Sequence, residues 1–265
     1  MNPTVSLCIT TYNTPEYLDL TLKSVLQQTV LPLEVIVADD GSGESTRLLI
    51  ERYKTIFPIP IHHCWQPDEG FRVAKIRNQA ILASSGNYII FIDGDVVLHK
   101  HFIKDHVTHA KYQHFIQGSR VLLSKESSTQ MKISKEINFH FFSQGIVNRF
   151  NSLSISCLSQ LLTPFYGSKD YKGVRSCNIS FWKQDALAVN GFNEEFEGWG
   201  REDSEFVVRL LNYCIIRQNL KFGGVLFHIW HPDNSREFLQ KNQLLLEEAI
   251  NEKKKWCKKG LATYE

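Results

Sequence analysis

The sequence has no long apolar run. Nowhere do about 18 consecutive apolar residues occur, the length a membrane-crossing helix needs, so no spanning segment is expected. The amino-terminal stretch MNPTVSLCITTYN has no basic segment leading into an apolar core, so no secretory leader is expected there. Net charge is small. Lys and Arg number 30 against 28 Asp and Glu, a balance of +2, which gives no field arguing for nucleic acid as a partner. Paired cysteines are missing too. Cys8, Cys64, Cys157, Cys177, Cys214 and Cys257 are scattered, none in a CxxC pair, and several lie in apolar strand-like runs. That speaks for reduced, buried thiols in a reducing compartment, and against a disulfide frame or a zinc site. Internal repeats and low-complexity tracts are absent. The 265 residues, 43% hydrophobic and 22% charged, suit an ordinary soluble chain of one large domain or two small ones.

The most informative stretch present is 88–97, YIIFIDGDVV. Its apolar run reads as a buried strand ending in Asp93-Gly94-Asp95, with Gly94 permitting the turn. Two carboxylates at the end of a buried strand repel each other unless positive charge sits beside them, and a divalent cation with oxygen ligands is the usual partner. Further strands are expected at 5–10, 33–38, 61–65, 115–123, 174–182 and 221–228. Helices are expected at 15–26, behind Thr14-Pro15, then at 44–53, 72–84, 183–189, 202–212 and 237–258. Strands alternating with helices from the start argue for an α/β, doubly wound, mostly parallel sheet. Residues 124–173 show clustered aromatics (Phe139, Phe141, Phe142) and no clean period, and read as an insertion with some helix. The end of the last helix is basic, with Lys253, Lys254, Lys255, Lys258 and Lys259 beside Trp256. Such a run is more commonly a solvated helix end than a membrane-surface contact.

Four constellations carry chemistry. Asp39 and Asp40 end one strand and Asp93 and Asp95 another, and parallel strands end on the same sheet edge, where ligands of open α/β sheets bind. Thr10, Thr11, Tyr12 and Asn13 lie beside them, suited to a nucleotide. Arg72, at the start of a helix, and Arg77, about one and a half turns on, can pair with phosphates or hold the aspartates. In FNEEFEGWGREDSE, Trp199 between two glycines offers a face for a sugar ring. Glu202-Asp203 opens a helix, a place for a general base if burial raises its pKa. His228 and His231, three apart at a strand end, can complete a metal shell begun by carboxylates. Taken singly, each of these has an ordinary structural explanation as turn, cap or surface ion pair.

With those motifs in view, VSLCITTYN, VIVADDGS, EGFRVAKIRNQAI and FIDGDVV resemble the nucleotide-sugar half of family-2 inverting glycosyltransferases, which have the GT-A fold. The segment CNISFWKQDALAVNGFNEEFEGWGREDSEFVVRL is similar to the acceptor side of β-1,4-galactosyltransferases and of bacterial chondroitin polymerase domains. The resemblance implies one compact GT-A unit. Its parts would be a nucleotide-sugar half at 1–123, the insertion at 124–173, an acceptor and catalytic segment at 174–236 and a basic helix at 237–265. It further implies that Thr10, Tyr12 and Asp40, with Asp39 close by, hold a uridine. Arg77 would lie near the diphosphate. Asp93 would touch the ribose or a metal, and Asp95 would bind the metal. Either His228 or His231 would be a further ligand, the galactosyltransferase pattern having methionine at the first position and histidine at the second. Trp199 and Glu202 would bind the acceptor sugar, and Asp203 would be the base. Arg201 departs from the pattern by replacing the glycine of GWGGED, and the insertion has no counterpart.

The expected activity is transfer of a hexose or N-acetylhexosamine from a UDP-sugar to a glycan or lipid-linked saccharide. A β-linkage would form, with Mn²⁺ or Mg²⁺ as cofactor, in bacterial surface polysaccharide or lipopolysaccharide synthesis. The expected setting is cytoplasmic, with peripheral contact at the inner membrane face through the basic carboxyl-terminal helix. Two rival readings are a metal-dependent sugar nucleotidyltransferase and a non-catalytic sugar-nucleotide-binding module. The first usually has a basic, glycine-rich loop where this chain has TTYNTPE, and the second needs neither a DxD nor a base.

Overall fold

A computed structural model describes residues 2–232 and 235–264. Eleven strands are present among them: β1 Val5–Thr11, β2 Glu34–Asp39, β3 Ile61–Trp65, β4 Tyr88–Asp93, β5 Val96–Leu98, β6 His114–Gln117, β7 Ser119–Leu122, β8 Gly167–Ser168, β9 Asn178–Trp182, β10 Ile216–Asn219 and β11 Val225–His228. The α-helices among them are α1 Pro15–Leu26, α2 Glu44–Lys54, α3 Val73–Ala83, α4 Phe102–His109, α5 Lys125–Ser134, α6 Ser156–Leu162, α7 Lys183–Ala188, α8 Glu202–Asn212 and α9 Leu239–Asn251.

The large sheet has the order β3-β2-β1-β4-β9-β6-β10-β8. Its first four strands are mutually parallel, so Thr11, Asp39 and Asp93 end on one edge. Strand β9 enters antiparallel between β4 and β6, with Asn178 opposite Ile92. Its beginning, not its end, therefore lies at the edge where β4 finishes. A second sheet, β5-β11-β7, stands beside that edge. Both faces of β4 are covered: Tyr88, Ile90 and Ile92 join the core under α1 and α2, and Ile89 and Phe91 the core under α3 and α8. Residues 88–92 are fully buried, which explains the unbroken apolar run and holds the aspartates after it rigidly.

The strand at 88–93 ends at Asp93 with a turn at Gly94, as expected, and Val96 and Val97 beyond it belong to the second sheet. Several expectations need adjustment. Residues 115–123 split at Gly118 into β6 and β7, in different sheets. A Cβ at Gly118 would stand 2.3 Å from Asn178 Oδ1, so only glycine lets the two strands separate around that side chain. The strand expected at 174–182 begins at Asn178, and the one at 221–228 begins at Val225 after a turn with Phe222 and Gly224 at positive φ. The last long helix ends at Asn251, so the lysines at 253–259 lie beyond it, and Lys254 is engaged by Glu248 and Glu252. Helix α4 and strand β10 carried no sequence signal strong enough to assign.

Helix α8, which opens with Glu202-Asp203, is fastened by a buried arginine. Arg209 is fully buried, bonds Glu205 at 2.7 Å through Nε and 2.8 Å through Nη2, and donates to the carbonyls of Val189 and Gly191. Arg209→Ala leaves a carboxylate and two carbonyls unpaired in the interior. It is expected to cost about 3–5 kcal/mol, measured by urea denaturation. Loss of less than about 1 kcal/mol would show that α8 is held by its apolar face alone.

Candidate active site

The edge formed by the ends of β1, β2 and β4 carries the first group of residues. Tyr12 is exposed, and its hydroxyl donates to Asp68 at 2.8 Å, which raises the phenol pKa. Asp39 is fully buried. It accepts from the Ser42 amide at 2.8 Å and is hydrogen-bonded to His63 Nε2 at 2.9 Å. Asp40 accepts from the Arg72 amide at 2.8 Å and from Gln66 Nε2. Burial pushes its carboxyl up, against those two hydrogen bonds. Both carboxylates thus shape the loops around them, and Tyr12 is the side chain that faces solvent. Thr10 turns its hydroxyl to Asp93 Oδ1 at 2.8 Å.

The turn after β4 is tied on three sides. The Gly94 amide donates to the Thr10 carbonyl at 2.7 Å, and Thr21 of α1 donates its hydroxyl to the carbonyls of Gly94 at 3.0 Å and Val96 at 2.7 Å. The Ile229 amide bonds the Asp95 carbonyl at 2.9 Å, and β11 places His228 opposite Val96. That register brings the second-sheet histidines to the carboxylate. Asp95 Oδ2 lies 2.9 Å from His231 Nε2 and 3.6 Å from His228 Nε2.

One ligand atom from each of Asp95, His228 and His231 falls within 4.8 Å of the others, the spacing of a cation's inner shell. Asp95 Oδ1 is buried with no hydrogen-bond partner, an acceptor left over that a cation satisfies. His231 Nδ1 is 2.8 Å from the Pro232 carbonyl, which fixes Nε2 as the atom facing the cluster. The three residues fit a divalent metal.

The electrostatics differ from group to group. Burial opposes ionisation of Asp95, but the His231 hydrogen bond and both imidazoles outweigh it and hold its carboxyl below the usual range. The same hydrogen bond pushes His231 up to about 9, whereas burial pushes His228 down to about 4. Asp93 is raised to about 6 by burial and then by Asp95.

The third group comes from α3 and α8. Arg77 is 3% exposed. It donates to Glu202 Oε1 at 2.9 Å and reaches Asp93 Oδ1 at 3.8 Å, with its guanidinium 5.3 Å from the Phe192 ring centre. Asp203 Oδ1 accepts from the Ser204 amide at 2.6 Å, and Oδ2 takes only a 3.3 Å bond from the Ser176 amide. Burial, then the charge of Glu202, raises Asp203 to about 6. Trp199 is 40% exposed between Gly198 and Gly200, both at positive φ, with the Arg236 guanidinium 5.9 Å from its ring centre. Arg201 takes φ +77°, the left-handed conformation a glycine adopts freely. The departure from GWGGED therefore keeps the bend and adds an exposed side chain.

Arg77 joins Asp93, two residues before Asp95, to Glu202, the neighbour of Asp203, and the histidines reach Asp95. Among the expected residues, Asp39 is fully buried, with its carboxylate turned to Ser42 and His63. Arg77, expected beside a diphosphate, is buried behind the carboxylates. Thr21, His63 and Ser176 were not singled out in the sequence. Each acts through hydrogen bonds to partners at least 24 positions away, and no local pattern signals such bonds.

The chain matches the family described as Glycosyl transferase family 2 over residues 6–166, and the N-terminal domain of galactosyltransferase over 158–232. It is 26% identical to the chondroitin synthase of Pasteurella multocida (strain Pm70), covering 88% of this chain and 25% of that protein. To the validoxylamine A glucosyltransferase of Streptomyces hygroscopicus subsp. limoneus it is 27% identical, covering 78% of this chain and 48% of that one. The chain thus spans between a quarter and a half of these relatives. Among solved structures, residues 1–349 of TarS from S. aureus superpose with TM-score 0.60 at 17% identity, over 98% of this chain and 68% of the other. The mannosyltransferase PcManGT from Pyrobaculum calidifontis, in complex with GDP-Man and Mn²⁺, does so with TM-score 0.59 at 13% identity, over 92% and 61%. The mixed sheet, the edge it presents and the match over 6–166 lead to one conclusion: this chain has the GT-A fold and belongs to glycosyl transferase family 2.

Proposed function

We propose that the chain transfers a hexose or N-acetylhexosamine from a UDP-sugar to a hydroxyl of a saccharide, with inversion at the anomeric carbon, in the synthesis of a bacterial surface polysaccharide. The observation that carries this reading is the convergence of a metal-type cluster and a raised carboxylate on the two sides of one buried arginine. The reading keeps the division into a donor half at 1–123, an insertion at 124–173, an acceptor segment at 174–236 and a terminal segment at 237–265. Tyr12 offers its exposed ring to the uracil. Asp40, and Asp39 beneath it, hold the loops that frame the base. Thr10 orients Asp93 toward the ribose. Arg77 keeps Asp93 and Glu202 in place from behind, and Glu202 and Trp199 line the acceptor side.

Asp95, His228 and His231 would hold the cation, and two imidazoles beside one carboxylate suit Mn²⁺ better than Mg²⁺. When bound, the cation neutralises charge on the departing diphosphate. The chain's own contribution is the proton transfer and the alignment. Asp203 Oδ2, the less strongly held oxygen, takes the proton of the acceptor hydroxyl as its oxygen attacks the anomeric carbon. Ser204 and Ser176 fix the carboxylate's direction. A pKa near 6 leaves Asp203 ionised yet basic at neutral pH. Alignment of the two sugars supplies much of the remaining acceleration.

A donor panel of UDP-glucose, UDP-galactose and their N-acetyl forms, read by release of free UDP with a saccharide acceptor, tests the activity. Release of pyrophosphate in place of UDP would favour a nucleotidyltransferase, and no release from any donor would leave a binding module. Asp203→Asn is expected to lower turnover by about 10²–10⁴-fold while UDP binding persists. Because the base must be unprotonated, the wild-type rate should fall about tenfold per pH unit below about 6. A rate unchanged by the substitution would remove Asp203 from the role.

Metal affinity has its own pH signature. In the metal-free protein His231 is protonated up to about pH 9, while His228 is already neutral and Asp95 already ionised. Binding at neutral pH must therefore displace one proton, from His231. Mn²⁺ affinity is expected to rise about tenfold per pH unit toward pH 9 and then level off. Calorimetry in buffers of different ionisation enthalpy measures the proton released. A pH-independent affinity would exclude His231 as a ligand.

A further inference from the structure

The insertion holds the longest acid-free run of the chain, 33 residues, ahead of 27 at 206–232. Residues 137–169 contain no aspartate or glutamate, in a sequence that has 28 of them, and carry Arg149 and Lys169 as their charged side chains. The same stretch displays large apolar groups to solvent. Phe142, Phe150 and Phe165 are 80%, 81% and 80% exposed, and Val147, Leu161 and Ile155 are exposed as well. Phe142 and Phe150 are not isolated. The Phe141 ring centre lies 5.1 Å from that of Phe142 and 6.1 Å from that of Phe150, and the Arg149 guanidinium sits 5.8 Å from it.

The patch has a defined place. The Val147 amide bonds the Leu122 carbonyl at 2.9 Å, and Leu122 is the register partner of His228. The insertion therefore flanks the β7 edge of the second sheet, at the end of that sheet where His228 stands, with β11 between it and Asp95.

We propose that this face, centred on Phe142 and Phe150, docks the chain on the surface of a bilayer with anionic headgroups. Projecting phenyl rings insert into the headgroup and acyl boundary, where each buries apolar area at little steric cost. Anchors at a protein interface more often fill matching pockets. The absence of carboxylates is the feature an anionic surface selects, because each would be repelled, while Arg149, beside the Phe141 ring, is attracted. Scattered apolar residues need no explanation, but a ring cluster inside an acid-free stretch does. The carboxyl-terminal lysines are the weaker candidate. They lie beyond α9, and Lys254 is already paired with Glu248 and Glu252. That the crevice would then face a membrane-held acceptor rests on the glycosyl-transfer reading; the docking itself does not.

Cosedimentation with vesicles tests the proposal. The wild-type chain is expected to pellet with phosphatidylcholine vesicles containing about a third phosphatidylglycerol, and far less with pure phosphatidylcholine. The double variant Phe142→Ser, Phe150→Ser should bind at least about tenfold more weakly, with an unchanged melting temperature because both rings are exposed. Lys255→Gln with Lys258→Gln should bind as wild type does. Failure of the wild type to pellet, or equal pelleting of the phenylalanine variant, overturns the proposal. So does a dimer in vesicle-free solution that the same variant dissolves, since the patch would then join two copies. UDP release with a soluble acceptor, measured without vesicles, reports separately on the glycosyl-transfer reading.

Discussion

The Arg77 guanidinium, sealed between Glu202 and Asp93, is the interaction on which the arrangement depends. A buried cation is tolerated only when paired, and here its partners come from the two halves of the chain, 125 positions apart in the case of Glu202. Pulling either half away would strand a charge in the interior. The cost of that separation holds the end of β4 against the start of α8, and so brings Asp95 and Asp203 into one neighbourhood. The Phe192 ring beneath the guanidinium and the buried Arg209 on the same helix make the junction stiff.

That junction also sorts the protonation states. Asp93 and Asp203 are both raised to about 6, chiefly by burial and then by a neighbouring carboxylate. Asp95 is lowered because two imidazoles stand over it. Three buried or partly buried carboxylates thus behave differently for reasons visible in their neighbours. A group kept ionised suits a cation, and a group poised near neutrality suits proton transfer. Asp39 illustrates the contrary case: with its oxygens turned to Ser42 and His63, it serves the loop.

Much of the fold was legible because burial on both faces leaves an unmistakable apolar run, as at residues 88–92, and because Thr14-Pro15 punctuates the first helix. The misread boundary inside 115–123 has a plain cause. At Gly118 the chain passes from the large sheet to the small one without losing β character. Periodicity reports that a segment is extended, not which strand it pairs with. The candidate residues in DGD, GWGRED and the two histidines stood out through their chemistry. Thr21, His63 and Ser176 did not, since a single hydroxyl, imidazole or backbone amide acquires its role only from the partner it meets.

The sequence by itself determined the alternation of strands and helices, the placing of acids after apolar runs and the likeness to a sugar-transferring family, because these are local or cumulative properties of the chain. Only the tertiary structure decided that β9 runs against β4, which carries Ser176 to Asp203, and that β11 pairs with β5, which carries His228 to Asp95. It likewise decided that Arg77 is a buried tie. Strand pairing and charge burial are long-range outcomes. They are set by which surfaces exclude water together, and no stretch of neighbouring residues encodes them alone.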